Sequence, residues 1–104
     1  MLLAVDVGNT NTVLGLYDGD ELKAHWRIIT ENYRTSDELR ILLTMLLQQD
    51  GVAPSDITGC CISSVVPQAN IALMSMSRKQ FGVEPLMVEP GIKTGIKLHN
   101  ENPK

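Results

Sequence analysis

The sequence predicts an α/β domain on a mixed sheet, in the order β-β-β-α-β-α-β. Three observations carry this. Three short runs rich in Val, Leu, Ile and aromatic residues fall within the first 30 positions, parted by turn residues. Two later segments repeat apolar residues at helical spacing. Between those segments lies a largely apolar run, Asp56 to Val66, with β-branched residues near both ends, the pattern of a strand covered on both faces in a parallel arrangement.

Leu2–Val7, Thr12–Tyr17 and Ala24–Thr30 are the first three strands. Asp18-Gly19-Asp20 between the second and third is a Gly-centred reversal suited to a hairpin, so the three form an antiparallel meander. Thr35-Ser36-Asp37-Glu38 pairs a Thr N-cap with a Glu three residues on, and its two acids sit where the helix dipole favours them. A helix starts there. Leu39, Leu42, Leu43, Leu46 and Leu47 give it one apolar stripe, and Gly51 closes it after Gln49 or Asp50. The buried strand Asp56–Val66 follows. Pro67 can open a second helix over Gln68–Gln80, carrying Ile71, Leu73, Met74 and Met76 and ending near Phe81-Gly82, with a short strand Pro85–Val88 behind it. The closing stretch "EPGIKTGIKLHNENPK" mixes Gly, Pro, Lys and Asn and reads as a connection.

Composition bounds the function. The chain has 104 residues, enough for one domain, with 43% hydrophobic and 20% charged residues. A formal net charge of −3, with Lys and Arg scattered, gives no electrostatic footprint for nucleic acid or an anionic membrane. The apolar run at Met1–Val5 is cut short by Asp6, whereas a membrane span needs roughly 20 apolar residues, so a cytoplasmic location is expected. Cys60 and Cys61 are adjacent in an apolar run and read as reduced, buried small hydrophobes. His25 and His99 lack metal spacing, and His25 reads as a surface or edge residue. Lys93 and Lys97 read as solvated loop charges.

The chemistry concentrates at "DVGNTNTV". An aspartate ending a core strand is costly unless something meets its charge. If the first two strands pair, Gly8, Asn9, Thr10 and Asn11 form the tip between them, where Gly and Asn take positive φ at low cost and turn backbone N–H groups outward. Such a nest, helped by the hydroxyls of Thr10 and Thr12 and the amide of Asn11, can wrap phosphate oxygens without a lysine. Asp6 beside it would hold a hydrated Mg²⁺ bridging those phosphates. The competing reading is a plain Gly-Asn turn in a small α/β domain, with Asp6 bonded to the turn's own backbone. No G-x-x-x-x-G-K-[ST] and no G-x-G-x-x-G after a strand occurs.

"DVGNTNTVLGLYDGD", "RTSDEL", "ISSVVPQ" and "GIKTGIKLHNENPK" together resemble, in order and spacing, the start of the type III pantothenate kinases. The resemblance spans the whole chain. It implies the ribonuclease H-like half of the actin-like ATPase fold, with a five-stranded mixed sheet and helices on its faces, and makes residues 1–104 an N-terminal ATPase-type domain lacking the second half. It implies that Asp6, Val7, Gly8, Asn9, Thr10, Asn11, Thr12 and Val13 bind the ATP phosphates, with Asp6 at Mg²⁺. It implies transfer of the γ-phosphoryl group of ATP to the primary hydroxyl of pantothenate, a potassium or ammonium ion, and a homodimer. The family's Gly-Ala-Asp-Arg motif, which carries its proposed general base, would lie beyond Lys104, so the catalytic base is expected outside these residues and the 104 residues alone are expected to be inactive. A non-catalytic nucleotide-binding or regulatory member of the same fold is the alternative.

Overall fold

The computed structural model describes residues 1–31 and 34–89. The closing stretch, with Lys93, Lys97 and His99, lies outside them. Among the described residues, five strands and two helices follow the expected order: β1 (Leu2–Val7), β2 (Asn11–Asp18), β3 (Glu21–Ile29), α1 (Ser36–Gln49), β4 (Gly59–Ser64), α2 (Pro67–Phe81) and β5 (Leu86–Val88). The sheet runs β3-β2-β1-β4-β5. β1, β2 and β3 are the antiparallel meander, and β4 and β5 join parallel to β1.

Local chemistry explains most boundaries. Gly19 takes φ +65° in the reversal between β2 and β3, where Asp18 faces Glu21. Thr35 caps α1: its hydroxyl accepts from the Glu38 amide at 3.1 Å, while the Glu38 carboxylate accepts from the Thr35 amide at 2.9 Å. Pro67 opens α2, and Gly82 ends it at φ +67°.

Two expected strands are corrected: β3 begins at Glu21 where Ala24 was expected, and β4 is shorter than expected. The strand placed over Asp56–Val66 is only Gly59–Ser64. Pro54–Asp56 form a 3-10 turn, in which the Asp56 carboxylate accepts from the Ala53 amide at 3.1 Å. At the other end the Ser64 hydroxyl accepts from the Val66 amide at 3.0 Å and folds the chain out of the strand. Apolar composition cannot register either turn. Ile71, counted with the apolar residues of the second helix, is 81% exposed.

Alternation along β1 sends Leu3, Val5 and Val7 to one face. There they join Leu14 and Leu16 of β2, Ile62 of β4, Leu39, Leu43 and Leu47 of α1, and Leu73 and Met76 of α2 in one buried cluster. Both helices therefore cover the same face, and among the described residues none covers the other. That second face carries Ala4, Asp6, Val13 and Ser63, aligned across β2, β1 and β4. Among the described residues, no helix is long and apolar enough to cross a membrane.

Cys60 and Cys61 are free and buried, as expected. Burial pushes the Cys60 thiol up to about 11, opposed by its hydrogen bond with Ser77. His25 is exposed on the edge strand β3.

Candidate functional site

The C-terminal ends of the parallel strands β1 and β4 meet at one edge, the place where open α/β sheets collect ligands. The reversal from β1 into β2 stands at that edge. Val7 faces Thr12 in register, so Gly8–Asn11 forms the tip, closed by the Gly8 amide donating to the Asn11 carbonyl at 2.9 Å. Gly8 does not take the positive φ expected of it. It is needed for closeness instead, since a Cβ at this position would stand 3.1 Å from the Asn11 carbonyl oxygen.

The structure brings Asp6 to Val13 together in this hairpin but divides their side chains between two faces. Asn9, Thr10 and Asn11 are exposed at the tip. Val7 is buried in the core. Thr12 is 6% exposed, and its hydroxyl lies 2.8 Å from that of Thr30, just past β3. Its side chain therefore shapes the loop from inside, where the sequence suggested a hydroxyl turned outward. Asp6 and Val13 are directly paired and lie on the opposite face, Asp6 half-buried and Val13 39% exposed.

Residues distant in sequence complete the edge. Ser63 faces Asp6 across the β1–β4 pair, and its hydroxyl is buried without a hydrogen-bond partner among the described residues. The Val65 amide donates to the Val7 carbonyl at 3.1 Å, fixing the β4–α2 turn against the base of the tip. The N-cap of α2, Val66, offers no side-chain cap, so the positive end of this 15-residue helix opens at the same edge. Thr30 ties β3 to the tip through its amide and its hydroxyl. The sequence flagged "ISSVVPQ" but gave Ser63 and Ser64 no role, and it gave no sign of Thr30.

Chemically, the edge unites a glycine-dependent tip, the Asp6 carboxylate, a buried hydroxyl with no partner among the described residues and a helix N-terminus. No group of three or more His, Cys, Asp or Glu able to hold a metal ion occurs among the described residues. Such an edge suits an anion carrying its own cation rather than a metal held entirely by protein.

A family model described as "Type III pantothenate kinase" matches residues 2–104. The type III pantothenate kinase of Geobacillus thermodenitrificans (strain NG80-2) is 54% identical over 104 residues, all of this chain and 40% of its own length. That of Anaeromyxobacter sp. (strain Fw109-5) is 52% identical, over all of this chain and 41% of its own. The chain thus spans about two fifths of the curated relatives it matches. Among solved structures, a ROK hexokinase from Thermus thermophilus superposes with a TM-score of 0.62 at 12% identity, over 85% of this chain and 34% of that one. T. thermophilus RuvC in complex with a Holliday junction substrate superposes at 0.63 and 14% identity, over 99% of this chain and 82% of that one. At such identities the likeness is one of fold alone: the ribonuclease H-like architecture shared with actin-like ATPases.

Proposed function

Since this chain belongs to the type III pantothenate kinase family, we propose that the whole protein transfers the γ-phosphoryl group of ATP to the primary hydroxyl of pantothenate. Residues 1–104 are then its N-terminal ATPase-type domain, and the remaining length of its relatives supplies the second half of the cleft. The observation that carries this reading is the closed tip Gly8–Asn11 beside Asp6 at the ligand-collecting edge of the sheet.

The placement of these residues supports a role for each. The exposed tip residues Asn9, Thr10 and Asn11 present amides and polar side chains to phosphate oxygens. Gly8 permits the close turn, while Val7, Thr12 and Val13 hold the two strands that carry it. The α2 N-terminus adds favourable potential for an anion.

The residues also fit a magnesium ion. Asp6 is a half-buried carboxylate, and the buried Ser63 hydroxyl in register with it lacks a partner among the described residues. Mg²⁺ at kinase sites is held by one or two carboxylates, with phosphate oxygens and water filling the rest. Asp6 would hold it, directly or through water. When bound, the ion neutralises charge on the transferring phosphates.

The proposal extends to a potassium or ammonium ion and a homodimer, both supported by the family resemblance, and to a cytoplasmic location. It includes no nucleic-acid or membrane partner, a reading supported by the net charge of −3.

The test is a coupled ADP-release assay with pantothenate, Mg²⁺ and a potassium or ammonium salt, run on the 104-residue chain and on the full-length protein. Turnover is expected from the full-length protein alone, because phosphoryl transfer needs both reactants positioned in line. Turnover by the 104 residues near that of the full-length protein would contradict the assignment of the second half. ATP binding by the full-length protein without pantothenate-dependent ADP release would point to a nucleotide-binding regulator.

A further inference from the structure

Thr30 lies 22 residues from Gly8 in sequence, yet it makes three contacts that bear on the tip. Its amide donates to the Thr10 carbonyl at 2.9 Å. Its hydroxyl donates to the Gly8 carbonyl at 2.8 Å. The same hydroxyl lies 2.8 Å from that of Thr12. A threonine hydroxyl has one proton, and Thr30 gives its own to Gly8, so Thr12 is the donor in this last bond. The result is a directed relay, Thr12 to Thr30 to Gly8, half-buried behind the tip.

The relay has a consequence on the other side of the backbone. A trans peptide is planar, with its C=O and N–H pointing opposite ways, and no cis peptide occurs among the described residues. Drawing the Gly8 carbonyl toward Thr30 turns the Asn9 amide away from it. Holding the Thr10 carbonyl against the Thr30 amide does the same for the Asn11 amide. Two carbonyl oxygens that would repel an anion are thereby tied back, and two amides that would attract one face the opposite side.

We propose that Thr30 is a positioning residue for nucleotide binding, fixing the Gly8 and Thr10 carbonyls behind the tip so that the Asn9 and Asn11 amides stand ready for phosphate oxygens. It acts through the loop and does not itself touch the nucleotide. The inference rests on the reading of Gly8–Asn11 as a phosphate loop, and its test is built to separate the two.

In the full-length protein, Thr30→Val keeps the side-chain shape and the backbone bond to Thr10 but removes the relay. It should raise the KM for ATP about tenfold, the worth of one well-placed hydrogen bond, and leave the KM for pantothenate within about twofold. Thr30→Ser restores the hydroxyl and should return the ATP KM to within about threefold of the parent. A merely structural role would lower melting temperature and the active fraction, hence kcat, while leaving both KM values in place; that result overturns the proposal. If Thr30→Val does not fold, Thr12→Val, which removes only the donor to Thr30, should raise the ATP KM by about threefold, and no rise would overturn it. Asp6→Asn is the reference. An ATP KM unchanged in Thr30→Val while Asp6→Asn disables the enzyme refutes the role of Thr30 alone, whereas normal turnover in both variants refutes the phosphate loop itself.

Discussion

The meander contains two hairpin reversals built from similar residue types. Asp18-Gly19-Asp20 uses a glycine at φ +65° with nothing within 4 Å of where its Cβ would stand. Gly8–Asn11 has its glycine pressed to 3.1 Å from a backbone oxygen, and it is held from behind by Thr30 and from the side by Val65. The first reversal is determined locally by its own sequence. The second is held by partners 22 residues and more away in the chain, more constraint than a turn requires. A loop whose exact shape is used needs constraint of this kind.

Equivalent changes in the two reversals should therefore separate sharply. The largest contrast pairs Asp6→Asn with Asp18→Asn in the full-length protein. Loss of the carboxylate beside the tip should lower kcat/KM by about 100-fold or more, on the scale of other lost electrostatic stabilisers, whereas Asp18→Asn should stay within about twofold. Equal effects would erase the distinction.

Gly8→Ala and Gly19→Ala form the next pair. A Cβ at Gly8 crowds the Asn11 carbonyl, so the ATP KM should rise severalfold. At Gly19 the penalty comes from φ alone and should be roughly 1 kcal/mol of stability, visible as a lower melting temperature at unchanged ATP KM.

How much of this was legible in sequence follows the same division. The capping box at Thr35 and Glu38, the leucine stripe of α1, Pro67 and the Asp18-Gly19-Asp20 turn act within a few residues, and each was found in place. Asp6 and the tip were readable as candidates because their residue types are odd for a strand end. What could not be read depends on pairing across the sheet: that Ser63 lies opposite Asp6, that Thr12 turns inward, and that Thr30 reaches back to Gly8. The shortened β4 was missed because its limits come from side-chain turns at Asp56 and Ser64, which an apolar tally does not register.

The smallest expected effect lies in the sheet below both reversals and serves as a baseline. Cys60, raised by burial to about 11 from an unperturbed 9.0, keeps its proton when folded at pH values where the unfolded chain has lost it. Its contribution to stability is fully present below pH 9 and is lost as pH rises toward about 11. Thermal melts across that window should fall less steeply for Cys60→Ala than for the parent, and activity assays at pH 8 should not distinguish them. A steeper fall in the variant would contradict the burial-driven shift.

The first reversal, and not the second, is proposed to receive the nucleotide's phosphates. Amide chemical shifts of the full-length protein, titrated with Mg²⁺ and a non-hydrolysable ATP analogue, test it most directly. The expected result is large shifts at Asn9, Thr10 and Asn11 with Gly19 and Asp20 unmoved. Saturable nucleotide binding that leaves the Gly8–Asn11 amides unmoved would contradict it.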